Sequence, residues 1–132
     1  MFPCIEIRPD GILHNLKIMK QRCSENGMSL SVVTKMLVGY EPLVRYLVEE
    51  GKIKAICDSR VENFMEFVDI KAEKWLIRSP MLSQVSDVVK FTDVSLNSEL
   101  DVLRALNDEA KKQNKRHKAV SYTHLTLPTT SR

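Results

Sequence analysis

The stretch SLSVVTKM, residues 29–36, carries the pattern that decides the fold. It is short, rich in β-branched residues and preceded by Gly27, which is typical of a buried strand. Before it, residues 10–26 place apolar side chains at three- and four-residue steps, which predicts a helix capped by Asp10. The chain therefore begins with a helix, followed by a strand that ends near Lys35.

The same alternation continues to residue 113. The further predicted elements are a helix at 41–50, a strand at 54–57, a helix at 61–68, a strand at 74–77, a helix at 82–91, a strand at 93–96 and a helix at 98–113 capped by Ser98. Repeated βα units imply a parallel sheet, because each strand needs a crossover helix to return to its starting edge. Their even spacing favours a (β/α)8 barrel over a doubly wound sheet. Since such a barrel takes about 250 residues, the expected fold is α/β, the N-terminal half of a (β/α)8 TIM barrel, incomplete.

Composition narrows the class of protein. Of 132 residues, 43% are hydrophobic and 28% are charged, which is typical of a soluble globular protein. No stretch approaches the roughly 18 apolar residues of a spanning helix, and the first residues do not read as a signal peptide. The 3 cysteines form no C-x-x-C. We therefore expect a cytoplasmic protein with neither a membrane partner nor a metal cluster.

The net charge of +3 owes much to one basic run near the end of the chain. The run consists of Lys111, Lys112, Lys115, Arg116 and Lys118. A nucleic-acid patch is one interpretation, and the solvated end of an amphipathic helix is the other. No aromatic side chain lies among these cations for base stacking, so we favour the helix end and expect no nucleic-acid partner.

The character of the sequence changes at VSYTHLTLPTTSR, residues 120–132, which is threonine-rich and uncharged until Arg132. Residues 120–130 resemble the translation of a transposon-end sequencing adapter. We therefore predict that residues 1–119 are native and that 120–132 are a non-native tail, beginning where a fifth strand starts near Lys118 or Ala119. Tyr122 and His124 are accordingly given no functional role.

Lys35 is the strongest candidate for chemistry. A lysine at the carboxyl end of a barrel strand lies on the face where such enzymes mount their active sites. Desolvation there favours the free amine, which can form a Schiff base. The alternative is a lysine whose charged end reaches solvent from a strand terminus.

Short motifs recur in order at the predicted strand ends. They are IEIRPD at 5–10 with HNL at 14–16, VVTK at 32–35, DSR at 58–60 with EN at 62–63, LIRSP at 76–80 and VSLNSE at 94–99. Together they resemble the alanine racemase N-terminal barrel family, of fold type III, and most closely its alanine/ornithine racemase branch. The resemblance implies that Lys35 carries pyridoxal 5′-phosphate (PLP) as a Schiff base and abstracts the α-proton of an amino acid. It also implies that the parent enzyme can be a homodimer.

Four further residues are candidates for cofactor binding: Tyr40, Arg78, Asn97 and Ser98. Better-known alanine racemases follow the lysine with a phosphate-binding tyrosine, but here the chain reads Gly39-Tyr40, with the two residues exchanged and displaced. Tyr40 is therefore either a phosphate ligand or an aromatic packed at a helix start. Arg78 suits a substrate carboxylate or the cofactor ring, or else an ion pair with Glu62 or Glu99. Asn97 and Ser98 can instead serve only as caps of the next helix.

Two other functions fit the same motifs. One is the small PLP homeostasis class, a single barrel that binds the cofactor without racemising. The other is a related barrel aldolase or decarboxylase. In the racemase interpretation the second acid–base residue lies beyond this chain, so we expect the 132-residue chain to be inactive by itself.

Overall fold

The computed structural model describes residues 3–121. Helices alternate with strands along the chain: α1 Pro9–Glu25, β1 Val32–Val33, α2 Glu41–Glu49, β2 Ala55–Asp58, α3 Val61–Met65, β3 Glu73–Leu76, α4 Val85–Phe91, β4 Val94–Asn97, α5 Leu100–Lys112 and β5 Lys118–Ser121. Two 3-10 turns, Lys35–Leu37 and Leu82–Gln84, precede α2 and α4. The predicted order of elements is confirmed.

The five strands between residues 3 and 121 form one parallel sheet in the sequential order β1-β2-β3-β4-β5. A doubly wound sheet would reverse its order at a switch point, and the part of the chain described here has no such reversal. The predicted α/β class is therefore confirmed, and the sheet is compatible with a partial βα barrel.

The helices cover one side of the sheet, which we call the helix face. Val32, Ile56 and Leu76 point to this side and pack in one hydrophobic cluster with apolar residues of the helices. The amphipathic helix α2 contributes four buried aliphatic side chains to the cluster, spaced at one- and three-residue steps: Leu43, Val44, Leu47 and Val48. Burial of such side chains is the main favourable contribution to folding.

The other side of the sheet, the open face, carries one row of side chains across all five strands. The paired residues of this row are Val33, Cys57, Trp75, Val94 and Lys118. Val33 remains 47% exposed. In a closed barrel this side forms the interior, which further strands would cover.

Several predicted boundaries were wrong. The first strand is only Val32–Val33, because Thr34 leaves the extended conformation (φ −100°, ψ −6°) and begins a 3-10 turn. Asp10 lies in the first turn of α1 rather than at its N-cap, which is Arg8. Ser98 precedes Glu99, the N-cap of α5, and makes no cap hydrogen bond.

Other differences are smaller. Strands β2, β3 and β4 are each displaced by one residue from the predicted bounds. Helix α3 ends at Met65, and Leu82–Gln84 is a 3-10 turn rather than the start of α4.

A fifth strand does begin at Lys118, as predicted, and it extends through Ser121, so the proposed boundary of the tail at residue 120 falls inside β5. The adapter origin of the tail stays a prediction. Tyr122 and His124 lie outside the described residues. Between residues 3 and 121, no helix is long and apolar enough to cross a membrane.

Candidate functional site

Lys35 lies just after β1, at the edge of the sheet where all the parallel strands end. It is the first residue of the 3-10 turn Lys35–Leu37. The turn is closed by the Leu37 amide, which donates to Thr34 O at 2.8 Å, and by the Val38 amide, which donates to Lys35 O at 3.4 Å. The Lys35 side chain is exposed. Lys35 therefore lies at the edge where barrel enzymes place their chemistry, but it faces solvent, and the desolvation expected from the sequence is not present within residues 3–121.

The turn ends in a strained backbone. Val38 and Gly39 are both left-handed, with φ of 47° and 72°. Gly39 tolerates this conformation, but a β-branched residue does so only at a cost of about 1–3 kcal/mol. A β-carbon at Gly39 would also lie 3.1 Å from Asn63 Oδ1, so the loop after β1 packs closely against helix α3.

Thr34 and Asp58 join the ends of β1 and β2. Thr34 Oγ1 donates to Asp58 Oδ2 at 2.9 Å, and the Arg60 amide donates to Asp58 Oδ1 at 3.0 Å. Both Thr34 and Asp58 have 0% of their surface exposed. The residue before the lysine is thus held by a buried carboxylate on the neighbouring strand.

Tyr40 and Arg78 both lie at this edge with exposed side chains. Tyr40 is the N-cap of α2, and 52% of its surface is exposed, so it is at most partly packed at the helix start. Arg78 follows β3 and forms no ion pair with any residue from 3 to 121; Glu62, one expected partner, instead accepts a hydrogen bond from Gln84 at 3.2 Å. Their roles toward a cofactor stay predictions.

Asn97 ends β4 and is buried rather than placed at a helix cap. Its Nδ2 donates to Ser95 O at 2.9 Å and to Ser95 Oγ at 3.0 Å. The register places Ser95 opposite Leu76, so Ser95 and Asn97 share the helix face. Ser98 is exposed, and neither residue caps α5.

Two buried polar atoms near the end of β3 and β4 have no hydrogen-bond partner within residues 3–121. They are Ser79 Oγ and Asn97 Oδ1. Buried polar atoms are nearly always hydrogen-bonded in folded proteins, so both have capacity to bind a further group. Ser79 follows Arg78 after β3, whereas Asn97 ends β4 on the helix face, three strands from the loop that carries Lys35.

A histidine that the sequence did not single out contacts Ser95, the residue to which Asn97 donates. His117 Nε2 is 2.8 Å from Ser95 Oγ, and His117 Nδ1 has no partner among the described residues. Burial is the main cause that lowers the pKa of His117, and the nearby Lys115 lowers it further. The Thr92 backbone and Asp93 act in the opposite direction and raise this pKa. A histidine just before a predicted strand is the only signal that could have marked it.

On the open face, polar side chains also meet at the amino edge of the sheet, opposite to the edge that carries Lys35. Glu73 Oε1 lies 2.6 Å from Lys118 Nζ, and Trp75 Nε1 donates to Glu73 Oε2 at 2.8 Å. These two contacts, with Lys118 first, lower the pKa of Glu73. Burial raises the pKa of the Cys57 thiol on the same face.

One cavity among the described residues lies away from Lys35. It has a volume of about 650 Å³ and lies between α5 and β5, where Leu106, Ala110, His117 and Ala119 line it. A groove of about 550 Å³ runs between the start of α1 and the Lys35 loop, with Leu37 on its wall. Neither is lined by Lys35, Tyr40, Arg78, Asn97 or Ser98.

Comparison with known proteins identifies two racemases. The chain is 38% identical over 120 residues to an ornithine racemase from Acetoanaerobium sticklandii. The aligned region covers 91% of this chain and 34% of that protein. It is 27% identical over 124 residues to a lysine racemase from Thermotoga maritima, covering 92% of this chain and 34% of the relative. No family model matches the chain. The chain thus spans about a third of the length of these relatives, which support a racemase family.

Proposed function

We propose that this chain is part of a PLP-dependent amino-acid racemase of the alanine/ornithine type, in which Lys35 binds the cofactor. The observation that carries the proposal is the exposed Lys35 amine on a hydrogen-bonded turn at the carboxyl edge of the parallel sheet. The likeness to an ornithine racemase and a lysine racemase gives it further support.

The residues at this edge fit a phosphorylated pyridine aldehyde. An aldehyde forms a Schiff base with a primary amine, and Lys35 supplies that amine. A phosphate or carboxylate group suits the guanidinium of Arg78, which has no ion-pair partner within residues 3–121. The unpartnered hydroxyl of Ser79, next to Arg78 in the chain, supplies a further group for a hydrogen bond to the cofactor.

In the proposed reaction Lys35 has two tasks. Its Nζ holds the cofactor between turnovers, and when substrate binds, the freed Nζ takes the proton from one face of the substrate Cα. PLP, when bound, delocalises the negative charge that develops at that carbon. A second group must return a proton to the opposite face, and we assign that group to the part of the relatives that this chain does not span.

Reductive trapping tests the proposal. The full-length protein that contains this chain is incubated with PLP, reduced with sodium borohydride and digested, and the pyridoxyl mass is located by peptide sequencing. We expect the mass on Lys35 and its loss in Lys35→Arg, together with the visible absorption of the bound cofactor. Racemisation of ornithine and lysine, followed by polarimetry, should disappear in the same variant.

Lys74 is the matched control. Burial lowers the pKa of Lys74, which leaves more of this amine in the reactive free form. An unselective reaction with the aldehyde would therefore also label Lys74. Its Nζ, however, donates to Ile70 O at 2.9 Å on the helix face. A label on Lys74 or on several lysines, with Lys35→Arg still loaded, contradicts the proposal; cofactor on Lys35 without racemisation favours the binding-protein alternative.

A further inference from the structure

We propose that Asp58 is a positioning residue that acts through Thr34 to fix the backbone from which Lys35 projects. The inference rests on the proposed function of Lys35. Asp58 ends β2, and its carboxylate is buried on the neighbouring strand, beside the residue that precedes the lysine.

A continuous series of hydrogen bonds links Asp58 to the turn. Asp58 Oδ1 accepts from the Arg60 amide and Oδ2 accepts from Thr34 Oγ1 at 2.9 Å, which is shorter than the 3.2 Å between the same hydroxyl and Cys57 O. The Thr34 amide donates to Cys57 O at 2.8 Å, and Thr34 O accepts from Leu37 N at 2.8 Å. Thr34 is therefore bound to β2 by both backbone and side chain while its carbonyl opens the turn that starts at Lys35.

The burial of Asp58 indicates that its carboxylate serves to position neighbouring segments of the chain rather than to stabilise the fold. A buried carboxylate is costly unless it is paired or fully hydrogen-bonded, and no lysine or arginine within residues 3–121 forms an ion pair with Asp58. Well-packed apolar residues often replace buried charges without loss of stability. A carboxylate, however, offers two oxygens in a fixed geometry, and here each binds a different segment of the chain.

The hydrogen bond between Thr34 and Asp58 holds the start of a segment whose other end, at Val38 and Gly39, has a strained backbone. Val38 stays left-handed only where the surrounding structure over-determines it. Gly39 packs on Asn63 at one end of the segment, and Thr34 is fixed by Asp58 at the other. Release of Thr34 would let Lys35 move with the relaxing turn, and small displacements of a reacting group lower its reactivity strongly.

Two variants disrupt the hydrogen bond between Thr34 and Asp58, and one preserves it. Thr34→Val keeps the shape of the side chain but removes the donor. Asp58→Asn leaves only one acceptor for two donors. Thr34→Ser retains the hydroxyl and should restore the contact.

The opposite edge of the sheet supplies matched controls. Thr92 is also fully buried, and its Oγ1 donates to Val88 O at 2.7 Å. Asp93 Oδ2 accepts from the Lys74 amide at 2.8 Å. Thr92→Val therefore removes a buried hydroxyl hydrogen bond, as Thr34→Val does. Asp93→Asn neutralises a carboxylate that accepts from a backbone amide, as Asp58→Asn does, and both controls lie at the amino edge of the sheet.

The experiment measures two quantities in the full-length protein, below its unfolding temperature. One is the rate at which PLP becomes trapped on Lys35 by borohydride. The other is amide hydrogen exchange over residues 35–40, without cofactor. In Thr34→Val and Asp58→Asn we expect at least tenfold slower attachment and faster exchange, whereas Thr34→Ser, Thr92→Val and Asp93→Asn should behave like wild type in both.

The outcomes separate the two proposals. If wild type carries no cofactor on Lys35, the proposed function fails, and with it the role of Asp58 toward the cofactor. If wild type is loaded on Lys35 but Thr34→Val and Asp58→Asn load at the same rate, only the positioning role fails. Equal slowing in Thr92→Val and Asp93→Asn would also overturn it, because it would reduce the effect to general stability.

Discussion

Lys118 and Glu73 form an ion pair on the open face of the sheet, with 2.6 Å between Nζ and Oε1, and so join β5 to β3 across the intervening strand β4. Trp75 donates to the second oxygen of the same carboxylate. Glu73 therefore contacts Trp75 of its own strand and Lys118 of β5 at the amino edge of the sheet, opposite to the Lys35 loop.

This ion pair predicts acid sensitivity. Because Lys118 and then Trp75 lower the pKa of Glu73 below its usual 4.5, the pair contributes stability at pH values above about 4.5. That contribution is lost as pH falls through the lower, folded-state pKa. Since the Lys118 side chain is 66% exposed, screening limits it to about 0.5 kcal/mol. Urea denaturation from pH 7 to pH 3 should show a flatter profile in Glu73→Gln; an unchanged profile would contradict this role.

His117 predicts a second dependence on pH, in a different range. Its pKa is lowered mainly by burial, so the unfolded chain binds a proton more readily than the folded one. Stability should therefore be full above the ordinary histidine value of 6.5 and fall as pH decreases below it. His117→Gln should remove this part of the decline between pH 7 and pH 5, whereas His14→Gln, which removes an exposed histidine, should retain it. Equal declines in wild type and His117→Gln would refute the prediction.

Gly51 should not tolerate a side chain. A β-carbon there would lie 2.3 Å from Leu47 O and 2.5 Å from Leu16 Cδ2, where α1 and the end of α2 meet. We expect Gly51→Ala to lower the free energy of unfolding by about 2 kcal/mol, as overpacking does. Gly11→Ala, with nothing within 4 Å inside helix α1, should instead raise it by about 0.5 kcal/mol. Chemical denaturation of both variants checks the difference in sign.

Arg78 supplies a prediction for the proposed site. Loss of one charge-assisted hydrogen bond costs at least 1.5 kcal/mol, or about tenfold in affinity. Arg78→Met should therefore raise the dissociation constant of PLP about tenfold, as measured by titration of the visible absorption. Arg60→Met changes an exposed arginine at the end of the neighbouring strand and serves as the control. A similar loss in both variants would mean that Arg78 contributes only to the overall charge.

The sequence predicted the fold well where the signal was periodic. Helices α2 and α5 have strong apolar faces and were found within three residues of their predicted bounds. The first strand was predicted too long, because β-branched residues at 29–36 fit a strand locally, whereas Thr34 turns away to bond with Asp58. That choice depends on a residue 24 positions further along the chain, which a local pattern does not contain.

The candidate site was predictable only in part, for the same reason. Lys35 stood out because a lysine at a strand end is chemically unusual, and Asp58 was noted only as part of a motif. Thr34 appeared only within the VVTK motif, without a role of its own, and His117 was not singled out at all. Their importance comes from contacts between strands, such as that of His117 with Ser95, which only the folded sheet brings together.

The sequential strand order has a consequence for synthesis on the ribosome. Every strand pairs with the one made immediately before it, so the sheet can grow by one strand at a time as the chain emerges, and N-terminal segments fold first during translation. The Thr34–Asp58 contact needs only β1 and β2, so the Lys35 turn can reach its final shape while the remainder of the protein is still being translated.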